Sequence, residues 1–407
     1  MNRFKEIGGR VIPGILLLSL LLLSPVQPLS ANEWESVLNS SRGTRVTFYG
    51  WGGDPRVNSW LDTFVALRLK ERYGLSLERV GMDIGEILNK LLSEKTAGKS
   101  DGVIDVVWIN GENFFAARRN GLLFGPFTGS LPNFRDFVDA EAGDVAFDFG
   151  FPTEGFEAPY GKAQLVFFRD AARLERPIGG HADLLKAAKL HPGEITYPAP
   201  PDFTGSAFVR TIICDIVGRE KIASLPADKD VLRVAVAPAM EFLSEIKPYL
   251  WMNGESYPAS GSQIKNMFED GEILLGMSYT PFLAPGKVKT GEFPESTESF
   301  VFEKGTLGNT HFLAIPFNAS NKNGAMVLIN ALLDPEAQAS KYDPAVWGDL
   351  PVLDPARLPP ERNALFENIV VGKGSIPLRT LLEKRVPELP ATFIPILDEI
   401  WRETVLR

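Results

Sequence analysis

From residue 45 onward the apolar positions switch between two periods, and that switching predicts an architecture. Residues 45–50 (RVTFYG) are β-branched and aromatic and read as a strand. Residues 56–72 then carry Val57, Trp60, Leu61, Phe64 and Val65 at helical spacing. Residues 75–80 alternate as a strand, 84–97 read as a helix, 104–109 (IDVVWI) as a buried strand, and a short helix follows through Phe115 and Ala116. Strands alternating with helices predict βαβ units, a mostly parallel sheet with helices on its faces, over roughly residues 44–125.

The pattern changes at residues 157–169 (EAPYGKAQLVFFR), an extended segment with an internal Pro-Tyr-Gly, and a second αβ series follows. Its helices are expected at 182–190, 206–217, 231–246 and 263–269, and its strands at 194–197 and 273–279. Residues 311–316 (HFLAIP) predict a further strand leading to a helix at 324–333. Residues 343–407 are punctuated by proline and end in an apolar helix at 391–401.

Ahead of the first strand, Arg3, Lys5 and Arg10 precede an apolar stretch at 11–23. Pro25 and Pro28 break it before Leu29-Ser30-Ala31. That is the pattern of a cleaved secretory signal peptide over residues 1–31, because the apolar core is shorter than a membrane span requires. With no cysteine near its end, a lipid anchor is not expected, and the mature chain should be free in the periplasm. The whole chain has 407 residues and a net charge of −9. Two domains are therefore the prior, and an acidic chain without long basic runs excludes nucleic acid as a partner. The single cysteine, Cys214, lies in an apolar helical stretch and reads as a small buried side chain.

Candidate chemistry gathers at strand–loop–helix junctions. Trp51-Gly52-Gly53-Asp54-Pro55 follows the first strand, with Asp54 a helix cap and Pro55 at the first helical position. Asn110-Gly111-Glu112-Asn113 follows IDVVWI, with Asn110 the expected cap, and Asp202-Phe203-Thr204-Gly205-Ser206 opens a helix of the second series. Loops at the carboxyl ends of parallel strands line a ligand crevice, and helix N-termini there offer free N–H groups. Asp54, Asn110 and Thr204 also fit a purely capping role. Trp51, Tyr160, Trp251 and Tyr279 add aromatic faces next to Pro, Gly or polar loops. A helix N-terminus favours an anionic group, whereas Asp54 and Glu112 favour a cation.

Enzyme signatures do not assemble. His181, His191 and His311 lack metal-ligand spacing, no Gly-x-Ser-x-Gly occurs, and Ala97-Gly98-Lys99-Ser100 ends a helix where a phosphate loop would begin one. The alternative, a secreted hydrolase or lyase, would need two carboxylates converging in the cleft.

Four runs carry a resemblance: residues 48–58 (FYGWGGDPRVN), 98–113 (GKSDGVIDVVWINGEN) with 123–127 (LFGPF), 159–168 (PYGKAQLVFF), and 311–353. They resemble the type II periplasmic solute-binding proteins, in particular the YnjB-type branch related to thiamine, polyamine and iron binders. The resemblance implies an α/β fold of two lobes, each a mixed, mostly parallel sheet flanked by helices, joined by two hinge strands. It implies residues 32–158 and 281–342 in one lobe, 159–280 and 343–407 in the other, and crossings at 157–168 and 276–281. It further implies a monomer that captures a small solute, ring-bearing and thiamine-like or other, for the permease subunits of an ABC importer, with no cofactor or metal. The isolated tyrosines depart from the paired tyrosines of the iron binders. The expected ligand-binding set is Trp51, Gly52, Gly53, Asn110, Gly111, Asn113, Tyr160, Gln164, Gly205, Ser206, Trp251 and Tyr279.

Overall fold

A computed structural model describes residues 30–406. The expected signal peptide lies outside the described residues except for Ser30 and Ala31, which cap and open a helix at Ala31–Ser41. No helix among the described residues is long and apolar enough to cross a membrane.

The strands that matter here are β1 (Arg45–Gly50), β2 (Ser76–Gly81), β3 (Val106–Ile109), β4 (Glu157–Gln164), β5 (Val166–Asp170), β6 (Leu275–Ser278), β7 (Thr297–Phe300), β8 (Thr306–Pro316) and β9 (Arg385–Pro387). They form two sheets. In the larger, the order is β9-β8-β3-β1-β2, and β4 runs antiparallel along β8. The βαβ core is parallel, with Phe48 opposite Val106 and Tyr49 opposite Val107, while β8 meets β3 antiparallel. The smaller sheet is antiparallel, β7-β5-β6.

Alternation along the strands builds a core on each face of the large sheet. Val106, Leu313 and Ile315 point to one side with Phe48, Trp60 and the helix Lys322–Leu332; Val107, Ile109 and Ala314 point to the other with Ile87 and Phe114. The small sheet has its own core, which includes the C-terminal helix. Leu397, Ile400 and Trp401 recur there at helical spacing, and the Trp401 indole donates to the Tyr197 hydroxyl at 3.1 Å.

The chain passes between the sheets at later points than the sequence suggests. It crosses first at Leu165, between β4 and β5. The return expected at 276–281 is instead occupied by β6, which pairs with β5, and the chain returns only after β7, through residues 301–305. Residues 343–407 divide as well: Trp347, Val352 and Leu353 pack on the large sheet, β9 joins its edge, and Leu389 onward belongs to the smaller unit. The run expected as a strand at 194–197 is extended and buried but forms no ladder; the carbonyls of Glu194 and Ile195 accept single bonds from Leu274 and Trp251. At residues 97–100 the helix ends on Gly98 at φ +68°, with the Lys99 N–H returning to the Glu94 carbonyl at 2.9 Å, a helix stop and not a phosphate cradle.

Candidate functional site

Loops from the two units face each other, and the residues there can be built up one junction at a time. After β1, the chain turns through Trp51–Asp54 into helix α1 (Pro55–Trp60). Asp54 caps it, accepting the Arg56 N–H at 2.9 Å, and the Asn58 side chain donates to the Gly52 carbonyl at 2.8 Å. The Trp51 ring lies over Gly53, where a β-carbon would stand 2.4 Å from it. With 47% of Trp51 exposed, the loop presents an aromatic face to solvent. Burial raises the Asp54 carboxyl, but the Arg56 guanidinium and the Lys265 ammonium outweigh it and leave Asp54 below the usual carboxylate range. Lys265 comes from the other unit, on the helix Gly261–Glu269; burial lowers its ammonium, and Asp54 acts in opposition.

The junction after β3 departs from expectation. Helix α2 (Glu112–Arg119) is capped by Gly111 and not by Asn110, whose backbone carbonyl only accepts the Asn113 N–H at 3.3 Å. Gly111 has φ +61°, where an L side chain would be strained, and its N–H donates to Asp148 Oδ2 at 2.5 Å. This fixes half-buried Glu112 at the first helical position, 3.5 Å from the Asn113 side-chain nitrogen. Behind the loop, Asp148 and Glu157 are buried, and neither oxygen of Glu157 has a hydrogen-bond partner. Burial pushes both carboxyls well above the usual range, with Asp148 adding to the effect on Glu157.

On the opposite side, helix α3 (Phe203–Val217) is capped by Asp202 and not by Thr204; Asp202 accepts the Gly205 N–H at 2.9 Å. Gly205 is packed so closely that a β-carbon would stand 2.0 Å from the Pro198 carbonyl oxygen. Helix α4 (Gly261–Glu269) starts beside Thr204 and carries Lys265. Ser206 is buried and donates to Asp398 Oδ1 at 2.5 Å, on the C-terminal helix α5 (Ile394–Thr404), while Arg210 Nη1 donates to Ser206 at 2.5 Å. Arg210, 1% exposed, grips Glu388 at two points, Nε to Oε2 at 3.0 Å and Nη2 to Oε1 at 2.9 Å. The Tyr279 hydroxyl donates to the same Oε1 at 3.0 Å, and its ring lies 5.0 Å from that of Phe203. Burial first, then Glu388, pushes the Tyr279 hydroxyl well up, which keeps it a donor.

Burial raises the Glu112 carboxyl; its own backbone N–H and then Arg210 oppose this, while Glu388 and Asp398 add to it. Trp51, Gly52, Gly53, Asn110 and Gly111, in loops, and Asn113, in the first turn of α2, thus lie on one side; Gly205 and Ser206, in the first turn of α3, and Tyr279, just after β6, lie on the other.

Three expected residues lie elsewhere. Tyr160 is fully buried in β4, its ring 5.3 Å from Trp108 and 5.0 Å from His311; the segment is extended as expected, but β8 pairs along it and the ring packs in the core and does not face the gap. Gln164 is also buried and donates to Thr306 Oγ1 at 3.3 Å and the Lys384 carbonyl at 3.1 Å, tying the crossing segments together. Trp251 donates to Glu272 at 2.6 Å; Glu272 precedes β6 whereas Tyr279 follows it, so Trp251 sits at the opposite end of that strand. Conversely, spacing and residue type did not single out Arg210, Glu388, Asp398, Lys265 or Phe203. Arg210 carried a signal, a cation inside the apolar run FVRTIICDIV. Nearby Cys214 is pushed up to about 12 by burial, which keeps it a thiol. Glu388 is committed to Arg210 and Asp398 to Ser206, so they do not offer the free carboxylate pair that hydrolysis would need. No three His, Cys, Asp or Glu side chains come together as metal ligands among the described residues.

Comparison with known proteins agrees with this architecture. Residues 65–367 match the family described as bacterial extracellular solute-binding protein. The chain is 38% identical over 332 residues to Protein YnjB of Escherichia coli, covering 81% of this chain and 84% of that one. Its fold is similar to the periplasmic binding protein AfuA from Actinobacillus pleuropneumoniae, solved with fructose-6-phosphate, with a TM-score of 0.60 at 15% identity over 89% of this chain and 98% of that one. It is also similar to the spermidine/putrescine ABC transporter substrate-binding protein PotD from Streptococcus pneumoniae, with a TM-score of 0.59 at 15% identity over 88% and 99%. These neighbours are two-lobed binding proteins, the fold expected from the sequence. By its family match and its Escherichia coli relative, the chain belongs to the bacterial extracellular solute-binding proteins.

Proposed function

We propose that this protein captures a small organic solute between its two lobes in the periplasm and hands it to the permease subunits of an ABC importer, acting as a monomer after removal of residues 1–31. The observation that carries the reading is the meeting of the two units at the Gly111 junction, where the Ala391 N–H, at the head of the C-terminal helix, donates to the Phe149 carbonyl at 2.9 Å and Phe149 packs with Phe115, Ala391 and Ile394. Loops from separately cored units meet over a polar, half-buried gap. Only a few segments link these units, so rotation about the crossings at Leu165 and 301–305 would vary the gap and bury a solute in it. Trp51, Phe203 and Tyr279 supply flat apolar faces, while Asn110, Asn113 and loop N–H groups supply polar contacts.

A thermal-shift screen of the purified mature protein tests this, because a solute that binds only the folded state raises its melting temperature. A hit should weaken when Trp51 or Tyr279 is replaced by alanine and should compact the protein in small-angle scattering. A hit that responds to neither substitution would place the solute elsewhere and defeat the proposal. AfuA was solved with a sugar phosphate and PotD is named for polyamines, so the fold alone leaves the solute's charge open.

A further inference from the structure

We infer that Phe149 is a clasp that holds the two lobes in the relative position the solute site needs, by docking the Gly111 junction on the head of the C-terminal helix. The inference rests on the capture reading above and adds the residue that sets its geometry. Residues 147–152 form a hairpin in which Phe147 pairs with Pro152 and Asp148 with Phe151, so Phe149 and Gly150 are its two turn residues. Both have positive φ, +42° and +75°, as in the tight hairpin turn that Asn-Gly or Gly-Gly forms at little cost. Gly150 meets this requirement freely. Phe149 does not, because an L side chain is strained there. A bulky aromatic kept in such a position marks contacts outside the turn that hold it.

On the large-sheet side the hairpin is anchored to α2 and to the loop before it. Asp148 accepts the Gly111 N–H, and the Phe149 ring lies against Gly111, where a β-carbon would stand 3.0 Å from its Cδ2. The Phe151 ring is 5.0 Å from that of Phe115. On the other side the Phe149 carbonyl accepts the Ala391 N–H at 2.9 Å, and buried Phe149 packs with Ala391 and Ile394. This cluster is separate from the core of either unit: Leu397, Ile400 and Trp401 of α5 pack into the small-sheet core, whereas Ile394 packs with Phe149. One turn beyond Ile394, Asp398 accepts the Ser206 hydroxyl in the first turn of α3. Contacts therefore run from the Gly111 junction, through Phe149 and along α5, to Ser206. One side chain that neither core needs thus ties the two walls of the candidate site together.

The test measures the distance between the lobes in the mature protein. Leu67 and Val234, 59% and 78% exposed on helices of the large- and small-sheet units, are replaced by cysteine in a Cys214→Ser background and carry a spin-label pair. Two variants cut the clasp from opposite sides. Phe149→Ala removes the ring. Ala391→Pro removes the N–H; Pro390 before it is extended, at φ −52° and ψ 136°, and Ala391 opens its turn, so proline suits the backbone there. Each should broaden the inter-lobe distance distribution and shift its mean by more than about 2 Å, while far-ultraviolet circular dichroism stays that of wild type. Phe149→Leu, which keeps an apolar contact, should shift it less. Phe149→Gly should move the lobes as Phe149→Ala does yet melt at a higher temperature. That reverses the usual order of alanine over glycine, because only glycine relieves the positive φ. A wild-type distribution in both cutting variants overturns the inference and leaves solute capture standing. Loss of folding in every variant overturns it too, since Phe149 would then support the fold and not the lobe position. A wild-type protein that binds nothing in the solute screen defeats capture, and with it the role given to Phe149, even where the distances shift.

Discussion

Lys341 and Arg210 both carry a positive charge deep into the molecule, and the partners of each come from very different places. Lys341 Nζ donates to Asp349 Oδ2 at 2.6 Å and to the Leu350 carbonyl at 2.9 Å, close along the same segment. His311 lies 3.1 Å from the same Asp349 oxygen, and Trp347 and Tyr160 wall the group in. This cluster closes on itself inside the large-sheet unit. Arg210 instead takes Glu388, 178 residues away, from the segment that crosses between the units, and its neighbourhood opens toward Glu112. The first cluster holds a scaffold together. The second makes the wall of a site out of a connection, so its integrity and the shape of the gap are linked.

Substituting each charge separates the two roles and should give the largest effects. Arg210→Met strands Glu388, and Lys341→Met strands Asp349; each should cost about 3–5 kcal/mol in chemical denaturation. The pair Arg210→Met with Glu388→Met should recover most of the loss. Solute affinity of the folded fraction, measured by calorimetry, should fall for Arg210→Met and hold for Lys341→Met; equal losses would erase the distinction. Next in size is Gly161→Ala. Its β-carbon would stand 1.9 Å from His311 Nε2 and 2.0 Å from Asp349 Oδ2, so forced repacking should lower stability by about 1–3 kcal/mol without changing affinity.

Glu157→Gln probes the buried carboxyls behind the Gly111 junction. The folded protein holds this carboxyl well above its ordinary value, so above that ordinary value the native state binds more protons than the unfolded state, and stability falls as pH rises. The amide escapes this loss. It should therefore raise stability near pH 7 by on the order of 1 kcal/mol, and the gain should fade as pH falls below the ordinary glutamate value. Urea denaturation at several pH values would show it; a gain that persists in acid would contradict the assignment. The smallest effect is expected at Trp251→Phe. Losing its hydrogen bond to half-exposed Glu272 should cost at most about 1 kcal/mol and leave solute binding unaltered. A marked loss of affinity there would move the site to the far end of β6.

Much of the frame could be read locally. The strand at 45–50, the cap at Asp54 and the helix stop at Gly98 each depend on a handful of neighbours, and each is found at its expected position. The misreadings share one cause. Tyr160 beside Pro and Gly looks like a loop aromatic until β8, far along the chain, pairs with its strand and covers it. Asn110 is the better cap by residue type, but Asp148 takes the Gly111 N–H and shifts the helix start by one residue. Residues 276–281 look like a crossing until β5 claims the strand that they begin in.

The sequence alone determined the alternation of strands and helices, the capped junctions and a chain too large for one core, because periodicity and capping act within a few residues. Tertiary structure alone decided which charges answer each other. Arg210 meets Glu388, and Ser206 meets Asp398, only through contacts between distant segments. Electrostatic energy depends on separation in space and burial, and neither is written in the spacing along the chain.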